Sequence, residues 1–234
     1  MFYRNYITAD SFGFHTRPSD TNYPKGEVRG IDISHYQRHI DWNALRNATL
    51  QDAPLRFVFI KATEGTNIFD PNFNLNFAQA RRHGIVRGAY HFFSTKSSGA
   101  EQARYFCRMV QLESGDLPPV LDVEVDIDKV ANYSRDKLRT EVLAWLRIAE
   151  DYYGVPPIIY ASSAYKQRYL NGEAFDHYPF WIAHYYVSTP SYAGQWTFWQ
   201  HTDQGKVDGI KGNVDVNVFN GSAEDFYRLL IPEE

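Results

Sequence analysis

Pro119-Val120-Leu121-Asp122-Val123-Glu124 is the stretch whose reading decides the fold. It is a short apolar run that turns acidic at alternate positions near its end. In a strand, successive side chains point to opposite faces, so Asp122 and Glu124 share one face and Leu121 and Val123 share the other. The run Leu117-Pro118-Pro119-Val120-Leu121 before it is apolar, which argues against an exposed acidic loop, although Asp126 and Asp128 continue the acidity. A long helical pattern follows near 134–153, and another precedes near 99–112. A strand apolar on its outer face and flanked by helices belongs to a parallel sheet covered by helices.

Working outward, the same alternation repeats. Upstream lie Gly30-Ile31-Asp32-Ile33-Ser34 with a helix near 41–50, Phe57-Val58-Phe59-Ile60-Lys61 with a helix near 71–83, and a strand over 85–93. Downstream lie Pro157-Ile158-Ile159-Tyr160 with a short helix after Ser162, then Phe180-Trp181-Ile182-Ala183, Thr197-Phe198-Trp199-Gln200 and Val214-Asp215-Val216-Asn217-Val218, and a helix near 223–230. About eight strands predict a closed, TIM-like β/α barrel of class α/β. The last strands leave too little room for full helices, so the second half is expected to be irregular. An open doubly wound sheet is the alternative. Against it, the first strand runs into Ser34-His35-Tyr36 and not into a Gly-rich phosphate loop.

Residues 1–28 read as an irregular lead-in with neither helical nor strand period, and 29–234 as a single catalytic barrel. A net charge of −4 without a basic run argues against a nucleic-acid partner. The single cysteine, Cys107, excludes an intrachain disulfide and sits in an apolar-periodic stretch that predicts burial. No stretch is apolar enough for stable membrane insertion. The start, Met1-Phe2-Tyr3-Arg4-Asn5-Tyr6, lacks a signal-peptide core, so an export leader is expected to be missing from this chain.

Polar side chains gather at one end of the strands. Asp32, Lys61, Tyr90, Asp122, Glu124, Tyr160 and Gln200 all lie at or near strand C-termini, the active-site face of such barrels. Two carboxylates as close as Asp122 and Glu124 favour one protonated and one ionised group. Glycosidic cleavage needs that pair: a proton for the leaving oxygen and a negative charge near a cationic sugar. Tyr90, Tyr160, Trp181 and Tyr185 are expected to line a sugar groove, because aromatic faces stack on pyranose C–H faces. A metal site is the competing reading, with His35, His39 and His91 as candidates. No His-Glu-x-x-His or cysteine cluster supports it, so neither metal nor cofactor is expected. His91 reads better as a hydrogen-bonded wall residue, and no Gly-x-Ser-x-Gly is present.

Taken together, these segments resemble the family 25 glycoside hydrolases, the Chalaropsis-type lysozymes. The resemblance runs from about Arg29 to Ser222. It rests on Gly30-Ile31-Asp32-Ile33-Ser34-His35-Tyr36-Gln37 with Asp41-Trp42, Phe59-Ile60-Lys61-Ala62-Thr63-Glu64-Gly65, Gly88-Ala89-Tyr90-His91-Phe92, the 118–124 segment, Trp181-Ile182-Ala183, Phe198-Trp199-Gln200 and Val214-Asp215-Val216-Asn217. It implies an irregular barrel of about five β/α units plus extra closing strands. It also implies net-retaining hydrolysis of the β-1,4 bond from N-acetylmuramic acid to N-acetylglucosamine in peptidoglycan glycan strands. Glu124 falls on the acid/base, Asp122 on its partner carboxylate, and Asp32 and Asp215 on two further site aspartates. The substrate-binding set then comprises Lys61, Tyr90, Phe92, Tyr160, Trp181, Tyr185 and Gln200. A substrate-assisted route with Asp122 steadying an oxazolinium is favoured over a direct nucleophile, Asp32. The implied enzyme is a monomer acting outside the cell or in its envelope. Two other readings stay open: a chitinase-like or endo-N-acetylglucosaminidase activity, which would want an Asp where Val120 stands, and a non-catalytic glycan-binding barrel.

Overall fold

The structure, a computed structural model, describes residues 26–51 and 53–233. All but the end of the expected lead-in over 1–28 lies outside the described residues. In chain order the elements are β1 (Arg29–Ile33), α1 (Trp42–Leu45), β2 (Thr49–Leu50), β3 (Ala53–Glu64), β4 (Ile68–Phe69), α2 (Phe73–Arg82), β5 (Val86–Phe92), α3 (Gly99–Met109), β6 (Val120–Asp122), α4 (Arg135–Tyr153), β7 (Ile158–Ser162), α5 (Ser163–Tyr169), α6 (Glu173–Asp176), β8 (Phe180–Ala183), β9 (Phe198–Gly205), β10 (Val214–Phe219) and α7 (Ala223–Leu229).

Strand pairing runs β1-β10-β9-β8-β7-β6-β5-β3, and β3 pairs back onto β1, closing an eight-stranded barrel. The barrel strands β1, β3, β5, β6, β7, β8 and β9 are parallel to one another where they pair, while β10 is antiparallel to both of its neighbours. The reason is connection length. Only residues 206–213 join β9 to β10, and a parallel crossover needs a dozen residues or more. Five strand-to-helix units, ending on β7 with α5 and α6, are therefore followed by three closing strands. Two expected elements are shorter than the pattern suggested. The helix near 41–50 is only α1, after which the chain turns into β2, and the strand over 119–124 ends at Asp122.

Alternation sorts the side chains into two layers. Ile31, Ile33, Val58, Ile60, Ala89, Leu121, Val123, Ile159, Ile182, Val216 and Val218 pack outward against the helices. Among the helical residues they share this core with are Leu138, Val142, Trp145, Leu146 and Ala149 of α4, spaced to form one helical stripe. Ser134 caps the start of α4, and Gly154 ends it in the left-handed conformation.

The interior holds Phe57, Phe59, Val120, Ile158, Trp181, Phe198 and Phe219. Their rings need space: a Cβ on Gly30 or Gly88 would come within 2.4 or 2.6 Å of Phe57 or Phe59. Phe226 of α7 packs on Phe57 and Phe219, at ring separations of 5.5 and 5.3 Å. Phe57 lies toward the start of its strand, so α7 stops the N-terminal end of the barrel. The C-terminal end is left as the mouth. Cys107 is buried on α3, and burial pushes its thiol up to about 11. Among the described residues no helix is long and apolar enough to cross a membrane.

Candidate active site

The alternation that buries the apolar residues also aims the polar ones. Because Ile31 and Ile33 face the helices, Asp32 between them faces the barrel axis. By the same rule Lys61, Tyr90, Phe92, Asp122, Tyr160, Trp181, Gln200, Asp215 and Asn217 are inward residues. Register lines many of them up around the mouth: Asp32 opposite Asp215, Lys61 beside Tyr90, Phe92 beside Asp122, Asp122 beside Tyr160, and Gln200 opposite Asn217. Asp215 stands at the start of its strand and still reaches the mouth, because β10 runs the other way.

Asp32 is the centre of a buried hydrogen-bond network. Its Oδ1 accepts from Gln200 Nε2 at 2.7 Å and from Asn217 Nδ2 at 2.8 Å. Gln200 Oε1 in turn accepts from Tyr160 Oη at 2.6 Å and Tyr185 Oη at 2.5 Å. Trp181 Nε1 donates to Asn217 Oδ1 at 2.8 Å. The Trp181 ring stacks on Phe59 at 4.3 Å and meets Tyr160 edge-on at 4.5 Å. Trp181 thus fills the barrel one layer below the mouth, while Tyr185 is half-buried at its edge. The phenol of Tyr160 is held well above its ordinary range by burial first, and also by the carboxylates of Glu124, Asp122 and Asp32 around it. It therefore remains an O–H donor to Gln200.

Glu124 lies past the end of β6, on a segment tied at both sides. Val123 N donates to Tyr160 O, and Tyr165 Oη donates to Val125 O at 3.0 Å. Asp122 is buried and Glu124 half-buried. One carboxylate thus belongs to the floor and the other to the opening. On the adjoining rim Lys61 Nζ pairs with Glu64 Oε2 at 2.7 Å and sits 4.8 Å from the Phe92 ring centre.

His91 does not join this site. His91 faces the helices: its Nδ1 meets Thr63 Oγ1 at 2.6 Å and its Nε2 meets Gln102 Oε1 at 3.1 Å. Gln102 Oε1 also accepts from Ser94 N while its Nε2 donates to carbonyls, so Nε2 of His91 carries the proton. His35 pairs with Asp70. Sequence reading overlooked Asn217 as a site residue. The available signal was its spacing of two from Asp215, which puts both on the inner face.

A closed, helix-covered barrel with acidic and aromatic side chains at its C-terminal mouth is the architecture of a carbohydrate-cleaving β/α barrel. Comparison with known proteins makes the assignment specific. The sequence profile of Glycosyl hydrolases family 25 matches residues 31–210, and the chain belongs to this family. YegX of Escherichia coli K12 is 44% identical over 204 residues, covering 87% of this chain and 73% of that protein. Lysozyme M1 of Streptomyces globisporus is 38% identical over 226 residues, covering 91% and 73%. The crystal structure of a bacterial lysozyme from Streptomyces coelicolor superposes with a TM-score of 0.77 at 36% identity, covering 86% of this chain and 96% of that one.

Proposed function

We propose that this chain is a peptidoglycan muramidase that hydrolyses the β-1,4 bond between N-acetylmuramic acid and N-acetylglucosamine, with Glu124 as acid/base. The observation that carries the reading is the pairing of a floor carboxylate, Asp122, with a rim carboxylate, Glu124, beside the Asp32 network. Family membership and the lysozymes among its relatives support the same reaction.

In this reading Glu124 protonates the leaving oxygen. The substrate's own 2-acetamido oxygen attacks the anomeric carbon, and Asp122 steadies the oxazolinium that forms. Glu124 then deprotonates the water that opens it, giving net retention. The two amide donors on Asp32 Oδ1 hold that carboxylate in a fixed orientation, and in this route Asp32 supports the sugar without bonding to it. Asp215, Lys61, Phe92 and Tyr90 bind and orient the sugar. Acting as a monomer, the enzyme meets its substrate outside the cytoplasmic membrane, in the cell envelope.

Digestion of purified peptidoglycan with mass analysis of the new reducing ends tests the proposal. Muropeptides ending in N-acetylmuramic acid are expected. Products ending in N-acetylglucosamine would move the assignment to a glucosaminidase, and no soluble product from several wall types would leave a binding module.

A further inference from the structure

One aromatic residue at the rim takes no part in the network above. Tyr186 has φ 58°, the left-handed region that bulky residues rarely adopt. Its ring does not compensate by packing in the core, since the residue is 44% exposed. It is nevertheless held firmly. Its Oη donates to Asp203 Oδ1 at 2.5 Å and accepts from Gln204 Nε2 at 2.8 Å. Asp203 and Gln204 belong to the end of β9 that projects beyond Gln200, away from the barrel floor. The backbone just before it is anchored too: His184 N donates to Gln200 O, and His184 O accepts from Trp199 Nε1 at 2.7 Å.

Tyr186 also adjoins a member of the Asp32 network. Its ring centre lies 6.1 Å from that of Tyr185, whose hydroxyl enters the Gln200–Asp32 network. One tyrosine is turned into the mouth and the next is fastened to the wall above it, with a face open to solvent. A rigid, exposed aromatic face continuous with a sugar site is suited to stack on the apolar C–H face of another pyranose. A flexible surface tyrosine would lose rotamer freedom on binding. This one has already been fixed by two hydrogen bonds and a constrained backbone.

We propose that Tyr186 is the platform of a distal glycan subsite, stacking on an N-acetylhexosamine of the same strand beyond the two sugars that flank the cleaved bond. The proposal rests on the muramidase reading for the identity of the strand. It explains why a left-handed tyrosine is clamped at its hydroxyl while its ring stays in water.

The test compares long, peptide-free glycan strands with the disaccharide N-acetylmuramyl-β-1,4-N-acetylglucosamine, which fills only the two positions flanking the cleaved bond, and reads the ratio of kcat/KM on the two. Tyr186→Ala is expected to lower that ratio roughly three- to tenfold, the range one stacked ring supplies, through KM on the long strands. Tyr186→Gly should lower it equally while the melting temperature holds or rises, because glycine adopts this backbone freely. An unchanged ratio in either variant, including equal losses on both substrates, overturns the proposal. Co-sedimentation of the wild-type chain and Tyr186→Ala with insoluble peptidoglycan separates the subsite from the reaction. Weaker retention of the variant supports the platform even where the wild-type chain cuts a different bond, and equal retention contradicts it.

Discussion

Asn217 Nδ2 donates to Asp32 Oδ1 at 2.8 Å, while the oxygen of the same amide accepts the Trp181 indole N–H at 2.8 Å. An indole N–H can only donate, so it fixes which end of the Asn217 amide faces Asp32. Asn217 is fully buried, and its partners Asp32 and Trp181 are only 4% and 2% exposed. Asn217→Ala is therefore expected to cost about 1–3 kcal/mol of stability. By loosening Asp32 it should also lower kcat by at least about tenfold. Thermal unfolding together with kcat and KM on peptidoglycan checks both. A loss of stability with normal kcat would reduce Asn217 to a packing role.

Tyr160 separates substrate contact from scaffolding. Its hydroxyl donates to Gln200 Oε1, which keeps a second donor in Tyr185. Tyr160→Phe should thus cost only about 0.5–1.5 kcal/mol of stability, with a measurable fall in turnover or substrate binding. A large drop in melting temperature with unchanged kinetics would show that the residue is structural only.

Acid should destabilise the fold through its buried imidazoles. Burial, aided by the charge of Lys61 and partly opposed by the Gln102 hydrogen bond, pushes His91 from 6.5 down to about 4. Burial and Arg29 push His201 down to about 4 as well. The unfolded chain takes up these protons near pH 6.5, and the folded chain does so only near 4. Stability is full above that upper value and declines as pH falls toward the lower one, by on the order of 3 kcal/mol for His91 alone. Urea unfolding at a series of pH values measures the slope. His91→Gln, which does not titrate there, should flatten it, and an unchanged slope would remove His91 as a cause.

Mechanism is tested by trapping. With the acetamido group as nucleophile, a slow fluorosugar substrate should leave no adduct on Asp32, and a thiazoline analogue should inhibit strongly. A mass-confirmed glycosyl group on Asp32 would overturn the substrate-assisted route and leave the reaction assignment standing.

Much of this site was legible in the sequence because period-two alternation states which face a residue takes. Asp32, Lys61, Asp122, Tyr160 and Gln200 could all be placed at one mouth that way. Alternation carries no information about strand direction, so the reversal of β10, which brings Asp215 to the mouth from the start of its strand, came from the short 206–213 connection. Nor does it report where a strand ends or how deep a side chain sits: a regular strand would put Trp181 and Tyr185 on one face, yet β8 stops at Ala183, Trp181 is buried on Phe59 and Tyr185 reaches the rim. Asn217 and the Tyr186 clamp depend on contacts between strands distant in sequence, which a single-strand pattern does not contain.

Glu124→Gln tests the central claim most directly. The substitution keeps shape and removes the transferable proton, and the half-buried position past β6 should tolerate it without loss of folding. General acid–base catalysis is worth on the order of 10²–10⁴-fold. Turnover of peptidoglycan by this variant, measured as release of reducing ends, is expected to fall by at least about the lower of those factors while binding to insoluble peptidoglycan persists. Near-normal turnover would contradict the assignment of Glu124 and with it the account of the site.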